Sequence, residues 1–275
     1  MRKSGMSLLP ASVFLLFFSC VQLKEVAQFS ATCQTSLDKA ASGEYGYYNY
    51  CKDSCIIFNS TGKFLADFTC SCKDHLSLDT ILVIEFNTLS AYYAALAKLA
   101  GSGTAVNFSP IGSAVPAGTY GTISVTQDES TAVGALATAI GVLVTTKFKS
   151  TKVKEIILQK NDSVVALLQN LRMHLDDLKS KIKNMQDKYL KRVNDMLGDT
   201  THADVRWLLI SDCKERYEQL DLIIARYDNR MAVLGKIITG QKELFDHVDD
   251  LKSESLKKSI LGLAGNLIYL SNAKN

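Results

Sequence analysis

Proline is nearly missing from this chain. Three prolines occur in 275 residues (Pro10, Pro110 and Pro116), and residues 117–275 contain none. An interior proline costs a helix about 3 kcal/mol, so that stretch is open to long helices. The 16 glycines follow no three-residue period, which excludes collagen, and a Pro-rich linker is excluded with it. The formal charge is only +3. No CxxC, HExxH, GxSxG, Walker A or EF-hand loop occurs, so no motif points to a thiol oxidoreductase, metalloprotease, serine hydrolase, nucleotidase or calcium sensor. The expectation is a protein that is not an enzyme and carries no cofactor. What is present is apolar: 47% hydrophobic against 21% charged residues is far from a disordered composition and supports a substantial core.

The chain opens with Arg2 and Lys3, followed by an uncharged run from Ser4 to Leu23. Its apolar centre, Val13 to Phe18, is shorter than the roughly 20 residues a bilayer-spanning helix needs, which is the pattern of a secretory signal. Phe17-Phe18-Ser19-Cys20 resembles the lipobox of bacterial lipoprotein precursors, with a small residue before the cysteine and Phe17 where leucine is usual. The resemblance implies that residues 1–19 are removed and that Cys20 becomes an acylated first residue, holding the protein on the membrane of the cell envelope. Val21, rather than aspartate, in the next position implies the outer membrane. Losing Arg2 and Lys3 takes two from the formal charge of +3, leaving +1. No nucleic-acid partner is expected from so even a balance.

Seven cysteines less Cys20 leave six: Cys33, Cys51, Cys55, Cys70, Cys72 and Cys213. An even number in an exported chain suits disulfides. Cys51 and Cys55 share a helical face, Asn59-Ser60-Thr61-Gly62 signals a turn, and Cys70-Ser71-Cys72 follows. Two disulfides across that turn are favoured over a zinc site made of the four thiolates with His75. Cys33 and Cys213 then remain as a long-range pair, although six cysteines allow 15 pairings.

A helix is expected from about Thr80 to Ala100, capped by Ser77 or Asp79 and stopped by Gly101. Residues 99–146 carry only two charges, Asp128 and Glu129. Their first part is rich in Gly and Pro, with a short strand expected at Thr122–Thr126. Their second part, Ser130–Thr146, has Gly134, Ala137, Thr138 and Gly141 at the spacing that permits close helix–helix approach. Seventeen residues at 1.5 Å span about 26 Å, slightly short of a roughly 30 Å hydrocarbon core. A buried helix of small residues is favoured, with a membrane-inserting segment as the alternative.

From Lys152 onward the apolar residues fall into heptads. Val164, Leu168, Leu171, Leu175, Leu178, Ile182, Met185 and Tyr189 form one seam; Ile210, Cys213, Tyr217, Leu220, Ile224, Tyr227, Met231, Leu234, Ile238, Gln241, Phe245 and Val248 form a second. Gly198 and the short link through His202 make the two helices an antiparallel hairpin. Leu256, Ile260, Leu263, Leu267 and Leu270 resume the rhythm out of phase, which implies a kink or a separate terminal helix.

The expected fold is therefore all-α: an elongated antiparallel bundle of four or five helices, coiled-coil-like in its long members, with a disulfide-stapled N-terminal region. Residues 20–100 form the cysteine-bearing part, 101–129 an uncharged loop, and 130–275 the long helices that pack with 20–100 as one domain. Among side chains that could carry chemistry, Glu243 and His247 lie one turn apart beside Asp246, Asp249 and Asp250, and His174 adjoins the seam at Leu175; both read more simply as structural. Asn59, Asn107 and Asn161 head glycosylation sequons, which a bacterial lipoprotein would leave unused. The leading functional expectation is a lipid-anchored helical scaffold that binds a protein partner. The alternative is a membrane-perturbing protein that uses residues 99–146.

Overall fold

A computed structural model of the chain describes residues 23–43, 45–59, 70–101, 115–120, 123–145 and 150–272. Among these residues there are seven α-helices: α1 (Lys24–Ala41), α2 (Tyr47–Asn59), α3 (Lys73–Ala100), α4 (Gln127–Thr145), α5 (Ser150–Asp199), α6 (Ala203–Asp246) and α7 (Glu254–Asn272). The strands β1 (Gly118–Tyr120) and β2 (Ile123–Val125) pair antiparallel, with Thr119 opposite Ser124. The fold is all-α, as the periodicity predicts, and the expected short strand is half of this hairpin.

Helices α5 and α6 are the long hairpin. At 50 and 44 residues, they reach about 75 and 66 Å at 1.5 Å per residue. The first seam is buried from Val164 through Met185, and the second from Cys213 through Val248 at every heptad step or half-buried between. Ile210 departs from expectation: it is 52% exposed, because residues 203–208 bury no side chain and the α6 seam begins only at Cys213. The phase break is real, since a 3₁₀ turn at Val248–Asp250 separates α6 from α7. Leu256, Ile260 and Leu267 of α7 then pack into the same core.

That core is continuous from Leu23 to Leu267, joining the cysteine-bearing part to the long helices. Helix α3 is its centre. By length and composition α3 alone among the described helices could cross a membrane, but 78% of its apolar window is buried within the protein. Against it lies α1, with Val26, Phe29, Cys33 and Leu37 inward. The Phe29 ring tip presses on Gly240 of α6: a Cβ there would come within 2.1 Å of Phe29 Cζ. Only glycine lets those two helices meet at this point.

Two nested disulfides, Cys51–Cys72 and Cys55–Cys70, tie α2 to the start of α3. The turn expected at 59–62 lies almost wholly outside the described residues. Closing such loops restricts the unfolded chain by an amount worth about 3 kcal/mol for 15 residues. With all four sulfurs paired, a zinc site with His75 is excluded. The expected Cys33–Cys213 bridge is not formed; both are buried free thiols, in α1 and α6. Cys33 belongs to the apolar core and Cys213 to the α5–α6 seam, and burial pushes both thiols above their ordinary pKa, which makes them poor nucleophiles.

Helix α3 starts at Lys73, not at Thr80, with no side-chain cap of its own. Asp79 caps a different helix. Its carboxylate accepts the Tyr47 amide at 2.8 Å and the Tyr48 amide at 2.9 Å, closing the N-terminus of α2 from outside. Gly46 gives it room, since a Cβ there would stand 2.6 Å from the carboxylate.

Gly134, Ala137, Thr138 and Gly141 do not provide close helix packing. A methyl at Gly134 or Gly141 would meet no atom within 4 Å, and Thr138 is exposed. Helix α4 instead buries the opposite face, Ala132, Val133, Leu136, Ala139 and Ile140, because the larger side chains remove more apolar surface from water.

Candidate functional site

Three ionisable side chains from three helices meet in the interior: Glu85 of α3, Glu129 of α4 and His174 of α5. All are buried, and their ligand-type atoms lie within 4.8 Å of one another. Local sequence places Glu129. Thr126-Gln-Asp-Glu129 is a capping box: the Thr126 hydroxyl accepts the Glu129 amide at 3.2 Å, and Glu129 Oε2 accepts the Thr126 amide at 3.3 Å. Its other oxygen, Oε1, is 2.9 Å from His174 Nε2. Burial works to raise the Glu129 pKa, but the bond from His174, with lesser help from Glu85 and Thr126, prevails and holds it below the usual carboxylate range.

Glu85 is the opposite case. It is 0% exposed, and neither carboxylate oxygen has a hydrogen-bond partner of good geometry. Burial first, and then a loose hydrogen-bonding approach to the Glu129 carboxylate and that carboxylate's charge, push its pKa well above the ordinary value. A buried charge without a partner costs several kcal/mol, so Glu85 keeps its proton when no cation stands beside it.

The stapled region reaches this cluster. Tyr47, at the start of α2, donates its hydroxyl to the His174 carbonyl oxygen at 2.7 Å and lies 3.0 Å from Asp177 Oδ2. One residue thus receives the N-terminal clasp on its backbone and Glu129 on its imidazole. A second buried polar row crosses the core nearby in sequence but is purely amide and phenol: Tyr93 donates to Gln241 Oε1 at 3.1 Å, and Gln241 lies 3.5 Å from Asn161 Oδ1. Asn161 is 8% exposed, so its sequon is not available for glycosylation. Cys20 and the leader lie outside the described residues, as does Asn107. His247 Nδ1 is 3.8 Å from Glu243 Oε2, but Asp246, Asp249 and Asp250 are exposed and do not join them. Among the described residues, the Glu85, Glu129 and His174 group is the one cluster with the spacing of a metal site.

Two features of the sequence point to it. Glu85 is the only charge between Asp79 and Lys98, on a helix otherwise apolar, where a charge needs a reason. The capping-box pattern stood at the start of α4. His174 was visible as a candidate, but not its partners, which come from 45 and 89 residues away.

The distal end of the hairpin is a different kind of surface. Val205, Trp207, Leu208 and Ile210 are 43%, 68%, 59% and 52% exposed, and Met196 of α5 is 44% exposed beside them in sequence across the link. A shallow apolar groove lined by Leu190, Val193, Leu197, Ile210, Cys213 and Tyr217 continues from it. No protein-family model, curated protein or solved structure matches this chain.

Proposed function

We propose that this chain is a non-enzymatic, lipid-anchored envelope protein whose long helical hairpin carries an apolar tip to a protein partner. The observation that carries the reading is the cluster of exposed large apolar side chains at Val205, Trp207, Leu208 and Ile210, at the end of a hairpin about 65–75 Å long. Exposed apolar clusters of this kind mark interaction surfaces, and tryptophan is enriched among residues that dominate binding energy. The lipobox-like segment ending in Cys20 would hold the other end on the membrane, and two disulfides suit an oxidising compartment.

The test replaces Trp207 with a photo-crosslinking amino acid in the expressed full chain. The expected result is one crosslinked species in the envelope fraction, lost on Leu208→Ser in the same background while helical circular dichroism is unchanged. Crosslinking unaffected by Leu208→Ser, or no crosslink at all, refutes it. Fatty-acid labelling that persists in Cys20→Ser refutes the anchor separately.

One observation favours the membrane-perturbing reading enough to state its test. The face of α4 that holds Gly134, Ala137, Thr138, Gly141 and Val142 is uncharged and half-buried to exposed. On that reading, protein lacking acyl chains releases dye from liposomes and a charge at Ala137 abolishes release; an inert wild-type protein removes the reading.

A further inference from the structure

We propose that Glu85, Glu129 and His174 form a buried binding site for one divalent transition-metal ion. The argument starts from Glu85. Neither of its carboxylate oxygens makes a hydrogen bond of good geometry although the side chain is fully buried; their one polar approach is to the Glu129 carboxylate. Native interiors satisfy nearly all such atoms, so a buried carboxyl left without a good hydrogen bond calls for an explanation, and an ion is one. Its neighbours are a second carboxylate and an imidazole, a mixed donor set suited to zinc, manganese or iron and poorly suited to calcium, which takes six to eight oxygens.

The spacing agrees. Ligands at about 2.05 Å from a metal stand about 3.3 Å apart in a tetrahedral site and about 2.9 Å apart when adjacent in an octahedral one. Glu129 Oε1 and His174 Nε2 are 2.9 Å apart, and Glu85 completes a group spanning no more than 4.8 Å. On coordination, His174 binds through Nε2 as a neutral imidazole with its single proton on Nδ1, so no proton remains between Nε2 and Glu129, and the Glu85 proton leaves to solvent. Two buried negative charges are then offset by the ion's two positive charges.

Two of the three ligands are also oriented by bonds that coordination does not consume. Glu129 keeps its Oε2 bond to the Thr126 amide, and the His174 helix turn is held through its carbonyl by Tyr47. Because the donors come from α3, α4 and α5, the ion would clamp the three helices together. This site is independent of the apolar hairpin tip, so its failure leaves the scaffold reading intact.

The experiment uses the full chain, stripped by EDTA in mild denaturant and refolded with Zn²⁺ or Co²⁺. One zinc per chain should survive gel filtration. The thermal midpoint should rise by roughly 5–10 °C at a hundredfold excess over Kd. Glu85→Gln keeps side-chain shape, and Glu129→Gln keeps a capping box, since glutamine serves there as well; both should fold and should bind zinc on the order of 100-fold more weakly. Cobalt should give d–d absorption in the wild type and lose it in both variants. A refolded wild type without bound zinc overturns the proposal. So does zinc held as tightly by either variant as by the wild type, which would place the ion on Cys33, Cys213 or His247 instead.

Discussion

Gly240→Ala should destabilise the protein, while the same change at Gly134 and at Gly141 should stabilise it. In a helix, alanine is favoured over glycine by roughly 0.8–1 kcal/mol, whatever surrounds it. Against that gain stands the contact at Gly240, where a Cβ would come 2.1, 2.6 and 3.0 Å from three atoms of the Phe29 ring. Phe29 is 0% exposed and has no open space to swing into. Overpacking of this kind costs about 1–3 kcal/mol, and a ring pushed from a fully buried slot belongs to the upper part of that range. The net expectation is a loss of about 1–2 kcal/mol for Gly240→Ala. Gly134 and Gly141 meet nothing within 4 Å, so those substitutions should keep about 0.5–1 kcal/mol of the propensity gain. Urea unfolding followed at 222 nm reads both signs, with an unchanged slope showing that only stability moved. Phe29→Leu in the Gly240→Ala background should recover part of the loss, because the two residues are coupled. If all three alanines shift the midpoint in the same direction, close approach of α1 and α6 is not what selects glycine at 240.

Three further outcomes follow from other contacts. Asp79→Ala removes the external cap of α2 and should cost about 1–2 kcal/mol; hydrogen exchange should quicken at Tyr47 and Tyr48 first, and protection retained there would contradict the capping role. Cys55→Ser with Cys70→Ser opens the inner disulfide and should cost about 2–4 kcal/mol in the oxidised protein, whereas Cys33→Ala and Cys213→Ala should leave the non-reducing mobility unchanged. Tyr227 has its pKa pushed up to about 12, by burial first, and Tyr47, Tyr92 and Tyr93 are raised by burial as well. A raised phenol adds stability in full below the unfolded pKa near 10, and that stability fades as pH climbs through the folded value. Tyrosinate absorbance from these residues should therefore appear only together with loss of helical signal above about pH 10, and a separate, earlier titration of all eleven tyrosines would refute their burial.

The capping box shows how local order can be legible without its consequence. Thr126 and Glu129 read as a helix start from four residues alone, yet nothing within those residues indicates that the same carboxylate meets a histidine 45 positions later. Asp79 shows the reverse error: its position suggests the cap of its own helix, and it caps another, because chain reversal brings the α2 N-terminus within 3 Å of it.

Sequence by itself determined the helical class, the two-helix hairpin, the phase break before α7 and the cysteine staple, because each rests on spacing along one chain: period 3.5 for a seam, a short link for a reversal, four thiols across a turn. Tertiary structure decided which side of α4 faces inward, that Cys33 and Cys213 remain thiols, and that Glu85, Glu129 and His174 share one interior point. Those outcomes depend on which helices become neighbours and at what rotation. Apolar periodicity sets that a face is buried, but the partner it meets is chosen by the sum of contacts over the whole core.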